Sequence, residues 1–186
     1  MKRFIIIAAM ALVSIAATAQ ETKFAFVDFN EVIMLMPEMD EARATLEENE
    51  KTNNEILQAM YDELQTKYQQ KAETWTPAIR QSKEAEITEI QARFEQTQQN
   101  LSQEISQLQQ SLQAPIYEKA QNTITELAKA KGIAAVFEKG SLLYIDPAQC
   151  LDLTSEARTA LNIPEGRTIE TLQAELMAKQ QAAMAE

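Results

Sequence analysis

The side chains of this sequence that could do chemistry are carboxylates, scattered lysines and arginines, one cysteine and one tryptophan. Its 186 residues include 28 Asp and Glu and no histidine. Without histidine, the commonest general acid–base and the commonest metal ligand are missing. Three glycines leave no glycine-rich phosphate loop, and G-x-S-x-G, C-x-x-C and H-E-x-x-H do not occur. The carboxylates are spread over helix-like sequence, where a solvated face accounts for them. The expectation is therefore a protein that is not an enzyme, with no catalytic residue, no metal and no cofactor. Cys150 is the single cysteine, so no internal disulfide can form. Its mostly apolar setting, Ala148 to Leu153, reads as that of a buried, inert thiol. The net charge of −11 argues against nucleic acid, which wants a basic face.

Among these side chains Trp75 stands out, in KAETWTPAIRQSKE (Lys71 to Glu84), at the centre of a Gln- and Glu-rich region. Pro77 follows two residues later. It disfavours helix at Thr76 and suits the first turn of a new helix, so it marks a turn. The flanking runs, residues 38–74 and 78–114, are rich in good helix formers. In the second, Ile87, Ile90, Phe94, Leu101, Ile105, Leu108 and Leu112 form a narrow seam of the coiled-coil type. The first has a weaker seam, interrupted at Asn49 and Asn53. Residues facing across a hairpin have position numbers with a constant sum. A sum of about 151 pairs Leu64 with Ile87, Leu57 with Phe94 and Asn53 with Gln98; about 154 pairs Leu46 with Leu108 and Met60 with Phe94. Either register gives an antiparallel helical hairpin with limbs of roughly 54 Å at 1.5 Å per residue. In the first register Asn49, Asn53 and Gln98 would form a polar layer that fixes register.

Trp75 falls at the hairpin tip, near residues 75–77. It either caps the end of the seam or is an amphipathic contact residue. From Lys67 to Lys83 four bases (Lys67, Lys71, Arg80, Lys83) stand against the one acid Glu73, whereas Glu38 to Glu63 holds nine acids and two bases. A positive tip on an acidic arm suits tip-first contact with an anionic membrane, lipid or client.

These limbs need a base. KFAFVDF (Lys23 to Phe29) alternates like a strand. Asn30 to Met36 reads as a short helix with Asn30 as a candidate cap. Ile133–Glu138 and Leu142–Asp146 read as strands joined by a tight loop at Lys139–Ser141. Ile116–Lys131 is helical with Gly132 as its stop, Pro115 is expected to kink the returning helix, and Thr154–Leu161 is a helix ended by Pro164 and Gly166. The expected layout is mainly α with a small β body. Residues 20–37 and 115–162 make an oligomerisation body, residues 38–114 the helical-hairpin arm, and residues 163–186 a polar tail that is either a docked helix or a frayed end. So small a body is marginal alone, and a sheet shared between copies would hide its strand edges. Ahead of the body, Lys2, Arg3, the apolar run Phe4 to Ala17 and Ala17-Thr18-Ala19 have the layout of a cleavable export signal over residues 1–19. The run is shorter than the roughly 20 residues of a membrane span. Losing Lys2 and Arg3 with it takes the net charge from −11 to −13.

The chain resembles the Skp/OmpH family of periplasmic chaperones. The residues that carry the resemblance are KFAFVDFNEVI (Lys23 to Ile33), the paired helices, APIYEKAQNTITELAKAKGIAAVFEKGSLLYID (Ala114 to Asp146) and LDLTSEARTAL (Leu151 to Leu161). The resemblance implies a periplasmic homotrimer whose β body, here Phe24, Phe26, Val27, Val136, Phe137, Leu143 and Tyr144, carries three helical arms around a cavity. It implies ATP-independent holding of unfolded outer-membrane β-barrel proteins and other exported chains. On this chain Met60, Tyr61, Tyr68 and Trp75 would supply adaptable apolar contact, with Lys67, Lys71, Arg80 and Lys83 at the tip. The best-known members have strongly basic arms and this chain is acidic, so no lipopolysaccharide site is carried over. The competing expectation is a coiled-coil scaffold or adaptor of the cell envelope that binds one defined partner.

Overall fold

The computed structural model describes residues 23–69 and 75–185; the expected export signal and Lys71 lie outside them. The elements in chain order are β1 (Lys23–Val27), α1 (Phe29–Leu35), α2 (Pro37–Gln69), α3 (Pro77–Ala130), β2 (Ile133–Glu138), β3 (Cys150–Asp152), α4 (Thr154–Ala160) and α5 (Ile169–Ala185). The fold is mainly helical with one small sheet, as the sequence implies. It divides into two compact units, one of residues up to Val32 with Ala120–Glu165, the other of Ile33–Lys119 with the residues from Gly166 onward.

In the first unit the sheet has the order β2-β1-β3 and is parallel throughout. The central strand is β1, and its Ala25, Phe26 and Val27 are buried. Where β1 meets α1, four neighbours secure the chain. The Asp28 carboxylate accepts from the Glu31 amide at 3.1 Å and so caps α1, the role the sequence assigned to Asn30. The Asp28 amide donates to Thr154 Oγ1 at 3.0 Å. The Phe29 amide donates to Glu138 Oε2 at 3.2 Å, and Lys139 pairs with Asp28 at 3.4 Å. The first residues after β1 are thus held by the ends of β2 and α4.

The expected β-hairpin is not formed. Lys139–Ser141 curls into a single 3₁₀ turn, in which Ser141 Oγ donates to the Glu138 carbonyl at 2.8 Å. Leu142–Asp146 is not a strand. The third strand is Cys150–Asp152, which runs parallel to β1 with Phe24 opposite Cys150. The physical reason lies in the turn: Gly140 N and Ser141 Oγ bond back to Glu138, and Leu142 N to the Lys139 carbonyl. The chain thus curls where a hairpin needs a reversal, and among the described residues the outer edge of β2 stays unpaired within the chain. Asp146 meanwhile closes the next turn, its carboxylate accepting from Ala148 N at 3.0 Å and its carbonyl from Cys150 N at 3.0 Å. Cys150 itself is half-buried rather than buried.

Helix ends follow local chemistry. Gly132 takes φ +66° after α3, and its amide donates to the Lys129 carbonyl at 3.1 Å. At the end of α4 the stop is Asn162, at φ 59°, ahead of the expected Pro164 and Gly166. The amides of Asn162 and Ile163 reach back to the carbonyls of Thr159 and Arg158 at 3.1 and 2.9 Å, the paired bonds of a Schellman ending. Pro115 lies inside α3. A Cβ at Gly132 would meet no neighbouring atom within 4 Å, so only the backbone conformation opposes substitution there. Gly132→Ala is expected to destabilise the fold by about 1 kcal/mol, seen as a lower melting temperature with an unchanged circular-dichroism spectrum.

Candidate functional site

In the second unit α2 and α3 are tied by cross-helix ion pairs. Lys67 pairs with Glu86, Arg93 with Glu63 at 2.6 Å, and Lys119 with Glu38. In the first expected register Glu63 would face Thr88 and Glu38 would face Gln113. The observed partners lie further along α3, which favours the second register. Asn53 is buried at 6 % exposure, and its amide donates to Asn49 Oδ1 at 3.0 Å on its own helix. The polar layer therefore closes within α2, and the expected pairing with Gln98 is replaced by this bond. Ile87 and Ile90 are buried on the returning limb.

The turn at the tip uses the expected residues. α3 starts at Pro77, the Thr76 carbonyl accepts from Arg80 N at 2.9 Å, and Thr76 Oγ1 accepts from Ile79 N at 3.4 Å. Proline lacks the amide that a first helical residue leaves unbonded, so the pair Thr76–Pro77 starts the helix without loss. Trp75 is half-buried and borders a shallow depression with Pro77, Arg80, Gln81 and Glu84. Tyr61 and Tyr68 are exposed, and Met60 is half-buried. Gln91 Nε2 donates to the Tyr68 hydroxyl at 2.7 Å.

The positive tip expected from the sequence is partly neutralised. Glu86 accepts from Lys67 across the limbs and from Lys83 at 2.8 Å along α3. The bond from Lys67, then that from Lys83, lowers the Glu86 carboxyl from 4.5 to about 2. Counting charges only as far as Lys83 missed this acid; the three-residue spacing of Lys83 and Glu86 is the signal that finds it. At the other end of the hairpin, the hydrogen bond from Lys119 holds Glu38 below the usual carboxylate range.

Of the residues assigned to the body, Phe24, Phe26, Val27, Val136 and Phe137 fall on the sheet and Leu143 and Tyr144 do not. Phe26 and Val27 are buried, Val136 is half-buried, and Phe24 and Phe137 are exposed, their rings tilted against each other at 6.0 Å. Leu143 and Tyr144 are the most open large apolar side chains in the unit, at 108 % and 81 % exposure. They stand in the segment that does not become a strand. Among the described residues there is no cluster of metal-ligating side chains and no helix long and apolar enough to cross a membrane.

A model of the outer membrane protein family described as OmpH-like matches residues 23–161. The chain belongs to this OmpH-like family. Members of the family are periplasmic chaperones rather than enzymes, and they bind outer-membrane proteins, generally as trimers. No match was found among curated proteins. The matched region of this OmpH-like chain runs from β1 to the end of α4 and leaves α5 outside.

Two expectations follow for the arm. Because Glu86 has a lowered value in the folded arm, its contribution is complete above about 4.5 and is lost as the pH falls towards about 2. The difference in unfolding midpoint between the parent and Glu86→Gln should therefore be constant at neutral pH and vanish over that acid range. Asn53→Leu should raise the melting temperature, by a stabilisation of about 1–2 kcal/mol, because it replaces a buried amide in an apolar seam.

Proposed function

We propose that this OmpH-like chain is an ATP-independent holdase of the periplasm, reached through a cleaved signal at residues 1–19. It keeps unfolded outer-membrane β-barrel proteins and other exported chains from aggregating. The observation that carries this reading, beside family membership, is a narrow two-helix arm whose large apolar side chains stay open. Ile56, Tyr61, Tyr68 and Ile79 are each more than two-fifths exposed. A seam only two helices wide has no thick core in which to hide them, so water-facing apolar area persists along the arm. Aromatic rings and methionine give adaptable, non-directional contacts, which suit clients without a fixed structure.

In this reading three chains join through the body, and their arms enclose the client. Phe24, Phe137, Leu143 and Tyr144 offer the apolar surface for that joining, over the buried Phe26 and Val27 and the half-buried Val136. The two outer strands of the sheet, β2 and β3, leave edges that a neighbouring copy can cover. At the tip, Trp75 and Arg80 share one depression and make the first contact with a client. Lys67 and Lys83 shape the tip by holding Glu86, and Lys71 adds charge beside Trp75 in sequence.

The test is dilution of a urea-unfolded outer-membrane β-barrel protein into buffer with and without the mature chain, followed by light scattering. Suppression at about one trimer per client is expected, and Trp75→Ala with Arg80→Gln should raise the amount needed severalfold. Unchanged scattering for this client and for an unrelated unfolded soluble protein would replace the holdase by an envelope scaffold with one defined partner.

A further inference from the structure

The second unit contains an elbow. α1 ends at Leu35 and α2 begins at Pro37, so Met36 alone separates the two helices. Pro37 has no amide to carry a helical ladder across the joint. Two bonds span the joint, a long one from Met36 N to the Ile33 carbonyl at 3.4 Å and an ordinary one from Met39 N to the Met36 carbonyl at 3.0 Å, and the Leu35 and Met36 side chains are fully buried. Such a joint bends unless side chains hold it.

A polar chain does hold it. Arg43 sits nearly two turns into α2. It donates through Nη2 to the Met34 carbonyl at 2.8 Å, on the far side of the joint, and through Nη1 to Asp40 Oδ1 at 2.7 Å. The same Asp40 oxygen accepts from Arg167 Nη2 at 2.6 Å. Arg167 comes from the segment that follows the family-matched region, and its side chain is only 19 % exposed. Just beyond it, Thr168 and Thr171 bond to each other reciprocally, amide to hydroxyl, at 2.9 and 3.2 Å. That closes the first turn of α5, and one turn later Leu172 is buried at 2 % exposure.

The rest of α5 is held differently. Leu176, Met177 and Met184 are exposed. Among the described residues, the ion pair along it joins Lys179 to Glu47 at 3.9 Å, with both side chains about two-thirds open, a geometry that contributes little. The segment is therefore fixed at its head and loose along its length, which is the build of a latch rather than of a core helix.

We propose that Arg167–Leu172 is a latch on the elbow between α1 and α2, and that its release loosens the backbone of the joint on either side of the buried Met36. The device is added to the OmpH-like region by the chain beyond residue 161, where the family match ends. It acts through an ion pair and one apolar side chain, so a client, a partner or salt that competes for either would loosen the joint.

The test is amide hydrogen exchange on the mature full-length chain, which needs no client and so is independent of the holdase reading. In Arg167→Gln, exchange at residues 34–43 and 168–172 should rise about tenfold, while β1 and β2 keep their protection. Leu172→Ala should do the same through the apolar half of the latch, and it decides the matter if the first variant fails to fold. Elbow exchange unchanged in both variants, or a first turn of α5 without protection in the parent, would overturn the proposal.

Discussion

The pairing of β1 on both of its edges is the constraint on which the rest depends. β1 has β2 on one side and β3 on the other, and all three strands run the same way. Parallel neighbours cannot be joined by a tight turn; they need a crossover. Between β1 and β2 that crossover comprises α1, α2 and α3, so the whole helical hairpin is one excursion between two adjacent strands. The amides just after β1 are then secured by Thr154 and Glu138. A change at Asp28 or Glu138 would thus be felt by a strand, a helix start and a turn at once.

The hairpin is stabilised by other means. It has a narrow apolar seam, one buried amide layer and ion pairs that sit in partial solvent. Exposed pairs contribute little each, and a two-helix seam buries little area. Glu86 concentrates what charge pairing there is at the tip, by joining a lysine from each limb.

Much of this was legible in the sequence. β1 and β2 show in their β-branched and aromatic alternation, the helices in their long glycine-free runs, and the tip in Thr76–Pro77. The failures have specific causes. Leu142–Asp146 has strand composition, but composition does not say whether Lys139–Ser141 reverses the chain or curls into a 3₁₀ turn. Cys150–Asp152 is three residues long and too short to show a period. Hairpin register was undecided because apolar residues at spacings of three and four match in more than one alignment; long ionic side chains, which reach a further turn, fix it instead. The docking of α5 rests on Arg167 and Leu172, two residues in an otherwise polar run, and no periodicity exposes them. The exposure of Tyr61 and Tyr68 and the half-burial of Trp75 are a matter of surface, which sequence names only by residue type.

The parallel crossover also sets an order of events for a chain that emerges from its N-terminus. β1 comes out first and has nothing to pair with until Ile133 has followed, since Lys23 pairs with Ile133. The sheet is therefore a late structure, closed across a very long loop. The entropic cost of closing such a loop grows only slowly with its length, and the local hairpin can form beforehand and draw residues 38 and 119 together through their ion pair. The chain must thus pass a stage in which the apolar Phe24–Val27 of β1 has no strand beside it.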